Sequence, residues 1–390
     1  MLIILTGSIL LNMPWAVQTG QPDYITSLFT AASATCVTGL VVVDTATHWT
    51  LFGHIVMLIL MQIGGLGIMT FVTFFAIMIG QNLNLKQKIV LKLALNRSGL
   101  ESLTQILKYI FAFSLVAETL GALILFLHWL EPMGWGKAAW YAIFHAISAF
   151  NNAGFDLFGG FQSLQGFVDN PVVNLTIAAL FITGSLGFMV IYELLIWRQQ
   201  KDLSLHTRVV LVGTLVILLL GAVVIFLLEY SNTFAQLSLS EKGIASFFSS
   251  ATRTAGFSTI DMSQTRLSTQ FFLVFLMFIG GAPGSTSGGI KITTFVILTA
   301  AVFSLFRGKS DVEIWKRRLS EKTIHRALAI AFLAISIIFI DVFILSWFHS
   351  DLMKVLFEVV SATSTVGLSL GLTQELGLIG KLIITATMFF

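Results

Sequence analysis

Long apolar runs alternate with short polar strips along the chain, and the runs come in pairs. The first pair is Met1–Met13 with Thr50–Gly80, and the second is Tyr109–Leu130 with Val172–Trp197. The third is Val209–Leu228 with Gln270–Phe306, and the fourth is Ile324–Phe348 with Leu376–Phe390. A helix needs about 20 apolar residues to cross a bilayer, so the pattern predicts eight spanning candidates, the first and last of them cut short. Between the members of each pair lies a half-length helix followed by a strip of Ser, Thr, Asn and Gly. The strips are SATCVTGLVVVDT, SAFNNAGFDLFGG, SATRTAGFSTIDM and SATSTVGLSLGLT.

The central glycines of the strips are Gly39, Gly154, Gly256 and Gly367, spaced by 115, 102 and 111 residues. A period kept three times, with the shared pattern SA(T/F)xxxxG, is a repeat signal. It divides the chain into units 1–80, 81–197, 198–306 and 307–390. Each unit reads as helix, half-helix, polar strip, helix. A half-helix of 10–12 residues is too short to span, so it re-enters. The strip after it then has non-helical backbone at membrane depth, which is tolerated only when buried in protein or lining a water-filled path. The expected fold is an all-α polytopic membrane protein, with four membrane–pore–membrane repeats around one pore and re-entrant pore helices.

Composition agrees. Of 390 residues, 56% are hydrophobic and only 11% charged, with 35 Phe and 8 Trp. A soluble fold could not hide that much apolar side chain. The net charge of +3 is too small and scattered to suggest nucleic acid. The single cysteine, Cys36, excludes an intrachain disulfide and a cysteine-based metal site. The N-terminal run lacks a basic n-region and a small-residue cleavage site, so a cleaved signal peptide is not expected. Both terminal runs read as helices of a longer chain. The links between units hold 15 of the 22 basic residues, among them Lys86, Lys88, Lys92, Arg97, Lys201, Arg208, Arg307, Lys309 and Arg326. These links are therefore assigned to the cytoplasmic side, with the strips opening outward. The third link would also meet lipid headgroups.

A glycine at the centre of each strip reaches backbone angles closed to other residues and leaves no side chain in the way. Successive carbonyls can then replace the hydration shell of a monovalent cation. No carboxylate precedes the glycines, which argues against a divalent-ion site. Asp44, Asp156 and Asp261 follow the glycines, where they either concentrate cations at the outer mouth or are simply solvated loop acids. Arg253, inside the third strip, needs partners if buried; Glu358, in the fourth half-helix, is the candidate. Glu118 and Asp341 are either interior polar contacts or interface residues. His48 and His145 have no companions that would make a metal site. The segment GGAPGSTSGGIK, Gly280–Lys291, breaks the sixth run with five glycines and a proline. Such a composition cannot form a stable helix. The weaker breaks GGLG (Gly64–Gly67) and GSLG (Gly184–Gly187) suggest close helix packing. Lys291 either positions the loop or snorkels to the inner interface, the second slightly favoured.

The strips TCVTGL, NNAGFD, TRTAGFST and TSTVGLSLG, together with GGAPGSTSGGIK, resemble the Trk/Ktr/HKT superfamily of potassium transporters, and within it the bacterial Ktr membrane subunits. The resemblance covers essentially the whole chain. It implies potassium uptake at the bacterial plasma membrane, sodium-dependent in Ktr-type systems and so with a symport component. It implies no cofactor in this chain, with K+ as the bound ion and Na+ as a second candidate. It also implies a homodimer bearing a ring of cytosolic nucleotide-binding (RCK-type) regulatory subunits, so that any nucleotide acts through that partner. By resemblance, the ion ligands and selectivity residues are Val37, Thr38 and Gly39, Asn152, Ala153 and Gly154, Thr254, Ala255 and Gly256, and Thr365, Val366 and Gly367. Gly39 in the first position implies a potassium preference. Gly280, Gly281, Ala282, Pro283, Gly284, Ser285, Thr286, Ser287, Gly288, Gly289 and Lys291 would form an intramembrane gate beneath them. Arg253 and Glu358 would brace the filter.

Two other functions compete. A sodium/potassium-coupled secondary transporter with alternating access would use the Gly280–Lys291 break as a substrate site, but four-fold repetition argues against two exchanging halves. An enzyme would need a paired acid, histidine or serine–lysine constellation, and the sequence offers none.

Overall fold

A computed structural model describes residues 1–18, 20–67, 71, 103–200, 202–309 and 311–389. The 80/81 boundary, Lys86, Lys88, Lys92, Arg97, Lys201 and Phe390 lie outside the described residues, as does part of the run Thr50–Gly80. The protein is a multi-span bundle of helices. The strands among the described residues are a two-residue hairpin pairing Glu313–Ile314 with Arg317–Arg318 in the third link.

In chain order the main helices are α1 (Leu2–Leu11), α2 (Tyr24–Thr35), α3 (Leu51–Gly65) and α4 (Leu103–Met133). Next come α5 (Trp135–Phe150), α6 (Pro171–Ser185), α7 (Phe188–Gln200), α8 (Leu205–Glu229) and α9 (Leu239–Ala251). The chain continues with α10 (Leu267–Phe278), α11 (Ile292–Phe306), α12 (Glu321–Leu345), α13 (Leu352–Thr363) and α14 (Leu378–Phe389). The four half-helices are α2, α5, α9 and α13. Local chemistry starts them where the sequence suggests. Asp23 and Asp351 accept hydrogen bonds from the first free amides of α2 and α13, and Ser238 with Glu241 forms a capping box on α9. α5 instead follows α4 through a single glycine, Gly134, at φ +75°. At 16 residues it is longer than the 10–12 expected.

The eight expected spans are not eight straight helices. Among the described residues, three helices are long and apolar enough to cross a membrane unbroken: Ile106–Met133, Leu205–Glu229 and Glu321–Leu345. These precede the second, third and fourth half-helices. Among the described residues, the helices that follow the second and third strips are interrupted. The run Val172–Trp197 bends by 98° between α6 and α7. The bend sits at Gly187, φ +87°, so GSLG is a hinge as well as a packing site. α3 ends in the same way, with Gly67 at φ +82°. α10 and α11 flank the Gly280–Lys291 break.

Packing runs around a circle. Each half-helix lies against the helix before it: α2 on α1, α5 on α4, α9 on α8, α13 on α12. Each also lies against the post-strip helix of the preceding unit: α5 on α3, α9 on α6, α13 on α10. α2 closes the circle against α14, from the last unit. Apolar clusters fill the joints, with Phe150, Phe181 and Phe248 in one and Phe29, Val355 and Ile384 in another.

Candidate functional site

All four half-helices end with their C-termini directed into a strip. Three of these ends are built alike. The amides of Thr38, Ala153 and Val366 reach back to the carbonyls of Ser33, Ser148 and Ser361, each at 2.8 Å. The residue before each amide is left-handed: Val37 at φ +58°, Asn152 at +56° and Thr365 at +47°. This is a helix-ending motif that usually holds glycine. Val and Thr are β-branched and costly there, so the conformation is imposed by the packing around the strip.

The serine six residues before each glycine ties down the strip that follows. Ser33 and Ser148 donate to the carbonyls of Leu40 and Phe155, each at 2.8 Å. Ser361 accepts from the Gly367 amide at 3.0 Å. The repeated SA pattern signalled these serines, but their role was not legible. The third strip departs from the plan. A 3-10 turn, Thr252–Thr254, continues α9, and Ser250 turns outward to the Leu218 carbonyl at 2.9 Å. Thr252 takes over the missing tie, donating to Phe257 at 2.5 Å.

The four glycines meet as a closed ring. Gly39, Gly154, Gly256 and Gly367 have φ of +85°, +72°, +75° and +98°. A Cβ on Gly39 would collide with the carbonyl oxygen of Ala153, one on Gly256 with that of Val366, and one on Gly367 with that of Thr38. On Gly154 it would lie 2.7 Å from the Ala255 oxygen, the most room of the four. Each glycine thus faces the carbonyl before the next glycine, and the fourth strip faces the first. The ring floors a cavity of ≈ 200 Å³, also lined by Asp156, Asp261, Ser369 and Gln374. Asp44 is not in that lining. It caps the helical turn Thr45–His48 and accepts from the Gly160 amide, because the free amides of that turn and of the neighbouring loop converge on it. Burial, with Asp44 nearby, pushes the half-buried Asp156 carboxyl up to about 6.

Gly280–Lys291 lies on the other side of the strips. Its two ends pair: the Gly280 amide donates to Ile290 at 2.8 Å, and the Ile292 amide to Gly281 at 2.9 Å. Its middle reaches the second unit. The Ala282 and Thr286 amides donate to Ser185 and Gly184 at 2.9 and 3.2 Å. The Phe188 amide, just past the 98° hinge, donates to Gly284 at 2.9 Å. On the opposite flank, a Cβ on Gly288 would lie 2.8 Å from the Ser364 carbonyl oxygen and strike the Thr365 hydroxyl. The segment therefore bridges the second and fourth strips. Lys291 folds back, its Nζ donating to the Ser287 carbonyl, so it holds the loop where snorkelling was the favoured expectation.

Arg253 and Glu358 do not pair; among the described residues no ion pair joins them. Arg253, 2% exposed, donates through Nη1 to the carbonyls of Ile279 and Gly280. The reason is the broken helix. Just past the end of α10 at Phe278, the Ile279 and Gly280 carbonyls have no further helical turn to bond and meet the guanidinium instead. Glu358, fully buried, accepts from Ser369 at 2.7 Å and from Thr373, holding the far end of the fourth strip. Glu118 and Asp341 are interior contacts. Gln62 Nε2 donates to Glu118 at 3.0 Å, and Thr387 donates to Asp341 at 2.7 Å. His145 Nδ1 meets the Tyr141 carbonyl at 2.7 Å, and no group of metal-ligating residues occurs among the described residues.

A multi-span helical bundle with this ring defines a class of membrane transport proteins, not enzymes. Family comparison is specific: the profile of TrkH, described as a cation transport protein, matches residues 5–390, and the chain belongs to that family. Among its relatives, the Ktr system potassium uptake protein B of Bacillus subtilis (strain 168) is 42% identical over 393 residues, covering 100% of this chain and 87% of that protein. The protein of the same name from Vibrio alginolyticus is 41% identical, over 99% and 86% of the two chains. The potassium/sodium uptake protein NtpJ of Enterococcus hirae is 38% identical, over 100% and 87%. The crystal structure of the potassium transporter TrkH from Vibrio parahaemolyticus shares the fold, with a TM-score of 0.78 at 18% identity over 100% of this chain and 81% of that one.

Proposed function

We propose that this protein takes up potassium across the bacterial plasma membrane, through one pore built by four membrane–pore–membrane repeats. The observation that carries the reading is the closed ring in which each strip glycine faces the carbonyl preceding the next. Backbone carbonyls at Val37–Thr38, Asn152–Ala153, Thr254–Ala255 and Thr365–Val366 coordinate the dehydrated ion. The half-helix C-termini add negative potential at the strips. The potassium specificity rests on the names of the relatives. Gly280–Lys291 acts as a gate on the cytoplasmic side of this filter, a role supported by its position under the second and fourth strips. Arg253 and Glu358 brace the filter from its two ends. Sodium stimulates or accompanies the flux. The protein works as a homodimer under a cytosolic nucleotide-binding subunit ring, as its Ktr resemblance implies.

The test is ion flux in proteoliposomes, potassium against sodium, with and without an imposed sodium gradient. Potassium flux that outcompetes sodium supports the filter; uptake that needs the sodium gradient at every potassium concentration would favour the coupled transporter. Deleting Ala282–Gly288 is expected to raise the flux. If folded deletion protein carries no flux, the gate role is wrong.

A further inference from the structure

The second strip alone contains two consecutive asparagines, Asn151 and Asn152. Their side chains serve opposite sides of the backbone. Asn151 faces away from the ring, donating to Gln62 at 2.9 Å and to Glu118 at 3.3 Å. Asn152 faces the loop. Its Nδ2 donates to the Thr286 hydroxyl at 2.5 Å, and its Oδ1 accepts from the Thr254 hydroxyl at 3.3 Å. The Thr286 hydroxyl in turn donates to the Phe150 carbonyl at 3.2 Å, and its amide donates to Gly184 at 3.2 Å. The donors and acceptors form one consistent order, Thr254 to Asn152 to Thr286 to Phe150. Every member is buried: Asn152 is 0% exposed, Thr254 4% and Thr286 6%.

We propose that the Asn152 amide is the latch that holds Gly280–Lys291 closed and ties its position to the second and third strips. This rests on the gate reading above. The chemistry favours an amide at this position. One side chain must accept from a strip hydroxyl and donate to a loop hydroxyl at once, which Asn does and Val, Asp or Ala does not. Asparagine also tolerates the left-handed backbone at φ +56° better than other side chains. Opening the loop breaks the Thr286 bonds and leaves the amide facing the pathway, where water or the passing ion takes them over. Asn152 is thus a positioning residue whose side chain couples the state of the gate to the geometry of the ring.

The experiment is a double-mutant cycle on potassium flux in proteoliposomes. Thr286→Val removes the latch and leaves the Asn152–Thr254 bond in place. It should raise flux by roughly 3–10-fold, the value of one net buried hydrogen bond, with the potassium/sodium ratio kept. Asn152→Ala should raise flux similarly and also lower that ratio, because the tie to Thr254 is lost. On the background of the Ala282–Gly288 deletion, Asn152→Ala should raise flux no further. If the deletion raises flux and neither single variant does, the latch is overturned while the gate stands. If Asn152→Ala adds its full effect on top of the deletion, it acts on the strip alone and the latch is overturned. If the deletion itself fails to raise flux, gate and latch fall together.

Discussion

The third strip and the other three solve the same problem differently. Strips one, two and four leave their half-helix through a left-handed residue and fix the next carbonyls or amide with a serine. The third leaves through a 3-10 turn and uses a threonine. Position for position, Arg253 stands where the others have Cys36, Asn151 and Ser364. Its Nη1 donates to carbonyls that are free only because α10 stops at Phe278, while its buried Nε finds no partner. The irregular strip and the broken helix therefore belong together. An arginine at this depth needs the break, and the break needs a donor for its open end. Pseudosymmetry survives at the glycine ring, where all four strips agree, and is given up behind it.

The largest effect should come from the part that is shared. Gly39→Ser, Gly256→Ser and Gly367→Ser each place a Cβ against a neighbouring carbonyl at a positive φ. The left-handed penalty alone is about 1–2 kcal/mol, so potassium affinity or selectivity in an uptake assay should fall roughly tenfold or more. Gly154→Ala, with 2.7 Å to its carbonyl, should be the mildest replacement in the ring. A Gly256→Ser variant with unchanged affinity and selectivity would take the third strip out of the ring.

Next in size is the part that is not shared. Arg253→Met leaves the Ile279 and Gly280 carbonyls without their donor, at a cost of about 1–3 kcal/mol for each buried group left unpaired. Thermal unfolding in detergent should show a clear loss, smaller for Arg253→Lys. Cys36→Ser at the matching place in the first strip, half-buried and without a buried charge to strand, should cost less, about 1 kcal/mol. Equal losses at both positions would mean that the arginine is not answering the broken helix.

The smallest effect concerns the vestibule, where the second strip supplies Asp156. Its carboxyl titrates near about 6, raised by burial. It is charged above that pH and neutral below it. Lowering external pH from about 7.5 to about 5.5 leaves about a quarter of it ionised, so the potassium concentration for half-maximal uptake should rise by roughly 2–3-fold. Asp156→Asn should flatten this dependence and behave at high pH as the parent does at low pH. A profile unchanged by Asp156→Asn would remove the acid from ion collection.

What the sequence made legible follows from what each signal measures. Apolar length and the recurring SA(T/F)xxxxG pattern found the half-helices, the strips and the four glycines, because those depend on local chemistry repeated four times. Gly280–Lys291 announced itself by glycine content. GSLG reads as a weak break and a packing site, but the 98° bend at Gly187 was not legible, because two glycines in a greasy run are also compatible with a straight, closely packed helix. The left-handed turns at Val37 and Thr365 run against the preference of β-branched residues, and only packing reveals them. The partner of Arg253 was misassigned to a carboxylate because charge suggests charge. Helix-end carbonyls carry no letter in a sequence.

The circular packing has a consequence for how the molecule is made. Gly367 faces Thr38, and α14 lies against α2, so the ring's seam joins the first and fourth units, which leave the ribosome more than 300 residues apart. At about 5–20 residues per second, the first strip waits tens of seconds for its neighbour. During that interval its open backbone and the exposed flank of α2 have no protein to cover them. The insertion machinery or the lipid must shelter that flank until α14 arrives, and the ring closes only after the fourth strip has been made.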